Sequence, residues 1–380
     1  MLYAPESHEP LTDAAWDATR ARDAIRAIVA DVERVYDPDT FWPANDWDGY
    51  QAALPMKNVF VGAGGLAWGL DRLRRSGHAE TALDLSAVAQ RALARYREEP
   101  DIIQGEELPA PVRSSLFMGE AGLVLVAWLL EPADELASEL FELVRQNIGN
   151  EANELMWGVP GTLLAARVLH ARTREERWRA AVEESVQALR DERDEEGLWT
   201  QKLYGRSARI LGPIHGFVGN VAALDDARGA AEVLTRTAIV EGGRANWPSS
   251  LGSENTPRLQ WCHGAPGIIA TASDYLDEEL LLGGAELIWE AGPPSSEEKG
   301  AGLCHGTAGN GYALLKTFER TGDERWLERA RAFAVHALAQ AEQLPGRYSL
   351  FTGGIGAALY AADCIDAGAR FPIVDGLDNS

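Results

Sequence analysis

The chain has few cysteines and few lysines. Only three of its 380 residues are cysteine, too few for a disulfide framework, and we therefore predict a reducing, cytoplasmic location that keeps the thiols available. Lysine occurs four times against 31 arginines, and the formal net charge is −23. Because nucleic-acid binding needs a basic surface, this charge argues against a nucleic-acid partner.

Long apolar stretches are also missing. The longest lies near Leu123–Leu130, well short of the roughly 20 residues that cross a membrane. The first ten residues are polar, without the apolar segment of a signal peptide. We therefore expect no membrane association. Strand signals are scarce as well, since no segment sustains the alternation of apolar and polar side chains that strands show.

Glycine, by contrast, is abundant and periodic. Seven Gly-x-x-Gly pairs follow one another at first-glycine spacings of 57, 39, 58, 48, 42 and 47 residues, which indicates a structural repeat. The pairs are Gly62/Gly65, Gly119/Gly122, Gly158/Gly161, Gly216/Gly219, Gly264/Gly267, Gly306/Gly309 and Gly353/Gly356. An apolar run follows each pair. Between the pairs lie stretches with helical amphipathic spacing, such as Ala14–Val35, Glu80–Arg97, Arg174–Arg190 and Glu324–Ala341.

Each repeat is thus one polar-faced helix followed by one glycine-initiated apolar helix. Seven such pairs can form an open superhelical stack or a closed ring, and the short apolar helices favour closure. We predict an all-α protein, a seven-fold (α/α) toroid with seven inner helices surrounded by seven outer ones. No linker interrupts the repeat, so residues 1–380 are predicted to form a single domain. The longer gaps 98–115, 192–213 and 241–260 are predicted to be loops that could cover one end of the ring.

Residues able to bind metal occur at equivalent positions of the fourth, fifth and sixth repeats. Cys262 and Cys304 stand two positions before the first glycine, and His215, His263 and His305 stand one position before it. In a ring these five side chains converge on one sector. Cysteine and histidine are the residues that bind zinc most readily, and a set of two cysteines and one histidine leaves a position open, as in catalytic zinc sites. Two buried cysteines beside a hydrogen-bonded histidine are the structural alternative; Cys364, outside this register, is predicted to be a buried structural thiol.

Two motifs carry a resemblance to a known family. Trp261–Gly267 reads WCHGAPG and Leu303–Asn310 reads LCHGTAGN, with support from Glu154–Gly158, His215-Gly216 and Ser349–Gly353. The chain resembles the lanthionine synthetase C-like (LanC-like) family over all seven repeats, and its freestanding branch more than the peptide-antibiotic cyclases.

The resemblance implies a seven-fold α/α toroid with one zinc ion held by Cys262, Cys304 and His305. It also implies roles beside the zinc for His215, Arg258 and Glu154. Two positions depart from the antibiotic cyclases: Glu154 replaces the usual aspartate, and His263 stands where those cyclases usually have tyrosine. The second departure argues against peptide cyclisation, because a proton-transfer partner has changed.

The reaction that the resemblance implies is addition of a thiol to dehydroalanine or dehydrobutyrine, which forms a thioether. The partners would be a thiol substrate, either a peptide cysteine or glutathione, and a peptide or protein that contains a dehydroamino acid. His215 is the first candidate for the general acid and His263 the second. Arg258 would stabilise the enolate that forms, and Glu154 would orient a histidine. Arg258 could instead be an ordinary loop arginine, and Glu154 a carboxylate that complements a helix dipole.

Two other functions fit parts of the sequence. A zinc site could capture glutathione or another small thiol without turnover, using the same ligands. A carbohydrate-active α/α toroid has slight support from Trp42, Trp47 and Asp48, but it leaves the cysteines and histidines of the three repeats unexplained.

Overall fold

A computed structural model describes residues 1–43, 55–101, 111–225, 228–297 and 299–377. Within these ranges there are 14 α-helices and four short strands, and outer helices alternate with inner ones along the chain. The outer helices are α1 (Ala18–Val35), α3 (Leu85–Glu98), α5 (Asp134–Asn147), α7 (Glu176–Asp191), α9 (Ala230–Thr237), α11 (Glu278–Ala291) and α13 (Glu324–Gln343). The inner helices are α2 (Ala63–Arg75), α4 (Glu120–Leu130), α6 (Val159–Thr173), α8 (Phe217–Leu224), α10 (Ala265–Ala272), α12 (Thr307–Thr321) and α14 (Gly354–Asp366).

Four of the outer helices begin after an aspartate whose side chain accepts hydrogen bonds from the first backbone N–H groups. In α1 this residue is Asp17, which accepts from the backbone N–H of Thr19 at 2.8 Å and of Arg20 at 2.9 Å. The cap explains why α1 begins at Ala18 rather than at Ala14, where the apolar pattern predicted its start.

Every inner helix begins immediately after the first glycine of a Gly-x-x-Gly pair, as predicted. The second glycine is required by close backbone packing. In all seven pairs, a Cβ atom added there would lie 1.8–2.3 Å from the carbonyl oxygen of the residue six positions earlier. Any side chain at these positions would therefore force the loop away from the helix that follows it.

The inner helices form a closed ring. Each contacts the next along the chain from α2 to α14, and α14 contacts α2. The outer helix α1 packs on α14 across this junction. At the level of the glycine pairs Phe60 stacks on Phe351, with ring centroids 4.6 Å apart, and Phe117 packs edge-on against both. The predicted α/α toroid is confirmed, and buried aromatic rings fill its axis at this level.

The four strands form two antiparallel hairpins within or beside segments predicted to be loops, and the prediction is wrong there. Strands β1 (Gln201–Leu203) and β2 (Arg206–Ala208) form one, and β3 (Ile239–Glu241) and β4 (Arg244–Asn246) form the other. Three residues are too few to show an alternating pattern, so these strands leave little signal in the sequence. Of the first predicted loop, residues 102–110 lie outside the described ranges. None of the described helices combines the length and the apolarity needed to cross a membrane.

Candidate metal centre and its surroundings

The fifth, sixth and seventh repeats are joined directly through their backbones at the predicted metal site. The backbone N–H of Cys262 donates to the carbonyl oxygen of Cys304 at 3.1 Å, and the N–H of Cys304 donates to that of Phe351 at 2.8 Å. These bonds place equivalent residues of successive repeats side by side, so the register predicted from the sequence brings the two cysteines together.

The side chains of Cys262, Cys304 and His305 converge. One donor atom from each lies within 4.8 Å of the other two, and Cys304 Sγ is 3.6 Å from His305 Nε2. Donor atoms of a tetrahedral zinc site with Zn–S bonds of about 2.3 Å lie roughly 3.8 Å apart. Both cysteines are buried, and His305 is half-buried. The chemistry and spacing of these donors therefore fit a zinc ion after a small closing movement.

The two thiols differ in their acidity. Burial raises the pKa of Cys262, but hydrogen bonding from Cys304 and the charges of His305 and His263 outweigh it and lower that pKa well below its usual range. Burial and the neighbouring Cys262 sulfur raise the pKa of Cys304 well above its usual range. The amide of Gln260 donates to Cys262 Sγ at 2.9 Å. The site is thus built to hold at least one thiolate, which is the form that binds metal.

His215 is hydrogen-bonded to Glu154. His215 Nδ1 lies 2.7 Å from Glu154 Oε2, and the carboxylate is fully buried, whereas the imidazole is 20% exposed. The same carboxylate accepts from the backbone N–H of Met156 at 3.1 Å and of Trp157 at 2.6 Å. These bonds orient Glu154 and hold one ring nitrogen of His215, so the other nitrogen, Nε2, is the one left for proton exchange. Glu154 stands five residues before α6 begins, and it accepts from N–H groups of the preceding loop and not from those of the helix. These bonds give little support to the helix-dipole alternative.

His263 interacts electrostatically with Cys262, with His305 and with His215. Burial lowers its pKa; the Cys262 thiolate raises it, and the positive charges of His215 and Arg258 add to the lowering. His263 therefore favours the neutral form. Its interactions with these groups place the three histidines of the predicted register in one sector of the ring.

Arg258 lines a cavity of about 290 Å³ that is also lined by His305, one of the candidate metal donors. Its side chain is exposed, whereas Gln260 and His305 form the inner part of the cavity wall. Lys299 lies on another part of the same wall, so two cations border a cavity in a chain whose net charge is strongly negative. The N-terminal residues Ala4, Ser7 and His8 also line it.

A family model described as lanthionine synthetase C-like protein matches residues 9–375. The chain belongs to this family. It is 28% identical over 302 residues to the Danio rerio protein named glutathione S-transferase LANCL1, covering 68% of this chain and 73% of that protein. It is 33% identical over 144 residues to the LanC-like protein GCL1 of Arabidopsis thaliana, covering 33% of this chain and 32% of that one. These relatives support the freestanding LanC-like branch.

Among solved structures, nisin cyclase has a similar fold. The two share 15% sequence identity with a TM-score of 0.58, and the similarity covers 91% of this chain and 94% of that one. At this identity the similarity concerns the fold alone, and it agrees with the closed ring of helix pairs described above.

Several residues around the site of this LanC-like protein were not found from its sequence. Gln260, Lys299 and Tyr204 reach the site from loops or from a hairpin. The one available signal for Lys299 was its rarity, since it is one of four lysines and stands five positions before Cys304. The signal for Gln260 was its place two residues before Cys262. In the structure it lies in a tight turn closed by two backbone bonds with His263.

Trp42 and Cys364, which were also singled out from the sequence, are both buried. Trp42 is buried, and its indole N–H donates to the carbonyl oxygen of Val32 at 2.8 Å, so it gives no support to a carbohydrate-binding surface. Trp47 and Asp48 lie outside the described residues. Cys364 is fully buried in α14, and burial raises the pKa of its thiol, as expected of a structural cysteine.

Proposed function

We propose that this LanC-like protein catalyses the addition of a thiol to dehydroalanine or dehydrobutyrine residues with the help of a bound zinc ion, which forms a thioether. The proposal rests on the convergence of Cys262, Cys304 and His305 within 4.8 Å. It is supported by the buried Glu154 carboxylate that holds His215 in the same sector. A metal site with a free position and a separately held proton donor are the two parts that this reaction needs.

A zinc ion held by these three residues would bind the substrate thiol and keep it ionised at neutral pH. The protein's own contribution there is the thiolate environment. The Gln260 amide donates to Cys262 Sγ, which adds to the bonds from Cys304 and His305 in stabilising negative charge on this buried sulfur.

In the remaining steps, side chains of the protein stabilise the developing charge and transfer protons. The thiolate sulfur attacks the β-carbon, a C–S bond forms, and the electron pair of the C=C bond moves onto the adjacent carbonyl oxygen as an enolate. Arg258 at the cavity edge would stabilise that oxygen. His215 would then protonate the α-carbon, and the proton that the thiol has released restores the imidazole. Glu154 stabilises the protonated ring, and His263 is the second candidate for the donor.

The cavity favours a small anionic thiol as one partner. Arg258 and Lys299 border a space of about 290 Å³ that is also lined by His305. Glutathione carries two carboxylates that such cations would attract. The name of the Danio rerio relative, a glutathione S-transferase, supports glutathione over a peptide cysteine. The second partner would be a peptide or protein containing a dehydroamino acid.

A binding protein that captures glutathione without turnover would use the same donor set. To separate the two functions, the zinc-loaded protein is mixed with glutathione and a dehydroalanine peptide, and the mass of the adduct is followed over time. Enzymatic addition requires a rate that increases with protein concentration and exceeds the uncatalysed rate at equal thiol. Bound glutathione with no acceleration would establish the binding function instead.

A further inference from the structure

The hairpin β1–β2 ends in an unusual turn. Leu203 pairs with Arg206, and the two residues between them, Tyr204 and Gly205, have φ angles of 52° and 69°. A two-residue turn with both φ angles positive favours glycine, asparagine or aspartate, because a Cβ atom crowds the backbone in this region. A tyrosine there is energetically unfavourable unless its side chain makes compensating contacts.

The second hairpin has glycine at both positions of the equivalent turn. Its strands are joined by Gly242 and Gly243, with φ angles of 58° and 75°, and nothing lies within 4 Å of a Cβ atom added at either glycine. The same turn in this chain is therefore made with two glycines where it projects away from the protein. It carries tyrosine where the tip approaches the site.

The Tyr204 side chain contacts the proton-transfer pair. Its ring meets the His215 imidazole edge-on, with centroids 6.2 Å apart and an interplanar angle of 81°. Its hydroxyl oxygen accepts from the indole N–H of Trp157 at 2.9 Å. The backbone N–H of Trp157 donates in turn to Glu154 at 2.6 Å. Trp157 thus connects Tyr204 to Glu154, whose carboxylate is hydrogen-bonded to His215 Nδ1.

The base of the hairpin is attached to the loop that carries Glu154. The backbone N–H of Lys202 donates to the carbonyl oxygen of Glu151 at 3.1 Å. The Gln201 side chain donates to the carbonyl oxygen of Asn153 at 3.3 Å. These bonds fix the distance between the hairpin and Glu154, so the strained tip cannot relax away from the imidazole without breaking them.

We propose that Tyr204 is a positioning residue for His215. Its ring packs against the imidazole and keeps Nδ1 on Glu154 and Nε2 available for proton transfer, and these contacts stabilise the left-handed backbone of the turn. The inference rests on the proposed function for its kinetic consequence, but the contact itself can be measured without any reaction.

The main test is Tyr204→Gly in the full zinc-loaded protein. Glycine suits the turn, which offsets the lost bond to the Trp157 indole, so the variant should fold with its zinc content unchanged. Loss of the ring should lower kcat/KM for thioether formation roughly 10- to 100-fold, the effect expected when a catalytic group is misplaced by about 1 Å. The ring ¹⁵N chemical shifts of His215 should change as well. A variant with wild-type kcat/KM and unchanged ¹⁵N shifts would overturn the proposal.

A second variant separates the ring from the hydroxyl. Tyr204→Phe keeps the edge-on ring and should retain most of the activity and the wild-type ¹⁵N shifts of His215. A loss as large as that of Tyr204→Gly would contradict positioning by the ring. If the wild-type protein forms no thioether, the proposed function fails, but the ¹⁵N comparison still decides whether Tyr204 positions His215.

Discussion

The residues of this ring that could bind metal are concentrated in one register of neighbouring repeats. In the position just before the first glycine, Val61, Met118 and Trp157 are buried, whereas His215, His263 and His305 are partly exposed. Histidine titrates near neutral pH, so the same structural position that serves packing in other repeats becomes able to bind metal or transfer protons here. Histidine at this position in three repeats, with cysteine one position earlier in two of them, is enough because the backbone frame is unchanged.

The first prediction at this scale concerns the metal. The wild-type protein should bind about one zinc ion per chain, and Cys304→Ala should lower that content by orders of magnitude because two ligands cannot close the site. Its far-UV circular dichroism should change little, since the core comes from seven helix pairs. Metal analysis after dialysis against a weak chelator measures the effect.

Cys364→Ala is the matched control for the metal prediction, because Cys364 is equally buried but lies in α14 outside the donor set. It should keep its zinc. Loss of the helical signal when the wild-type protein is treated with a strong chelator would show that the site is structural and would contradict a catalytic metal.

The second prediction separates metal binding from proton transfer. His215 bonds to Glu154 and is not part of the donor set, so His215→Ala should retain zinc and thiol binding. It should slow thioether formation by roughly 10²–10⁴, the usual effect of removing a general acid. His263→Ala should slow it less. Stopped-flow adduct formation at saturating thiol measures both variants.

Either of two results would contradict these roles. Loss of zinc from His215→Ala would mean that the donor set is wrong. Full activity with zinc retained would mean that the proton comes from His263 or from water.

At the level of the helices, the inner and outer rings begin in different ways. Outer helices such as α1 and α13 begin at an aspartate cap, and every inner helix begins at a glycine without a side-chain cap. Because glycine has no side chain, the loop before each inner helix can fold back onto its first turn. The glycine pairs therefore mark the level at which each inner helix and the loop before it pack most closely.

The third prediction tests this close approach far from the metal. A Cβ atom at Gly122 would lie 1.8 Å from the carbonyl oxygen of Leu116 and 2.8 Å from the Val59 side chain. Gly122→Ala should therefore reduce the free energy of unfolding by about 3 kcal/mol, as overpacking of a rigid core does. Urea denaturation followed by circular dichroism measures the change.

Gly368→Ala is the control for this prediction. Nothing lies within 4 Å of a Cβ atom there, and the backbone is not left-handed. Its stability should stay within about 0.5 kcal/mol of the wild type. Equal stability of both variants would show that the loop before α4 can move aside.

The fold and the convergence of the candidate metal donors could be predicted because both depend on the repeat. Once the glycine pairs set the register, Cys262, Cys304 and His305 had to converge. Tyr204 had no such register, since its position depends on a three-residue hairpin and on backbone bonds to the loop before α6. Lys299 likewise reaches the cavity through loop packing, which periodicity does not report.

At the scale of the whole molecule, two features bear on stability: the closure of the helix ring and the excess of negative charge. Contact between α14 and α2 makes each repeat depend on two neighbours, and α1 packs over the junction. A single domain over residues 1–380 and a cytoplasmic location stay predictions. The ring carries 58 acidic against 35 basic residues, so most of its surface repels itself, while the two cations at the cavity provide a local exception.

The last prediction follows from this excess of negative charge. Exposed ion pairs such as Arg179–Glu183 and Arg95–Glu98 each contribute only about 0–1 kcal/mol and weaken in salt. The uncompensated charge of −23 acts over the whole surface, and salt shortens its range from about 30 Å at 0.01 M to about 3 Å at 1 M. Repulsion should therefore dominate, and the melting temperature of the zinc-loaded protein should rise between these concentrations of sodium chloride.

Differential scanning calorimetry measures the shift in melting temperature. Zinc content is checked at both salt concentrations, because metal loss would also change stability. A falling melting temperature at constant zinc would show that the ion pairs outweigh the net charge. Sodium chloride is the appropriate salt, since sulfate would also strengthen apolar burial and raise the melting temperature for a different reason.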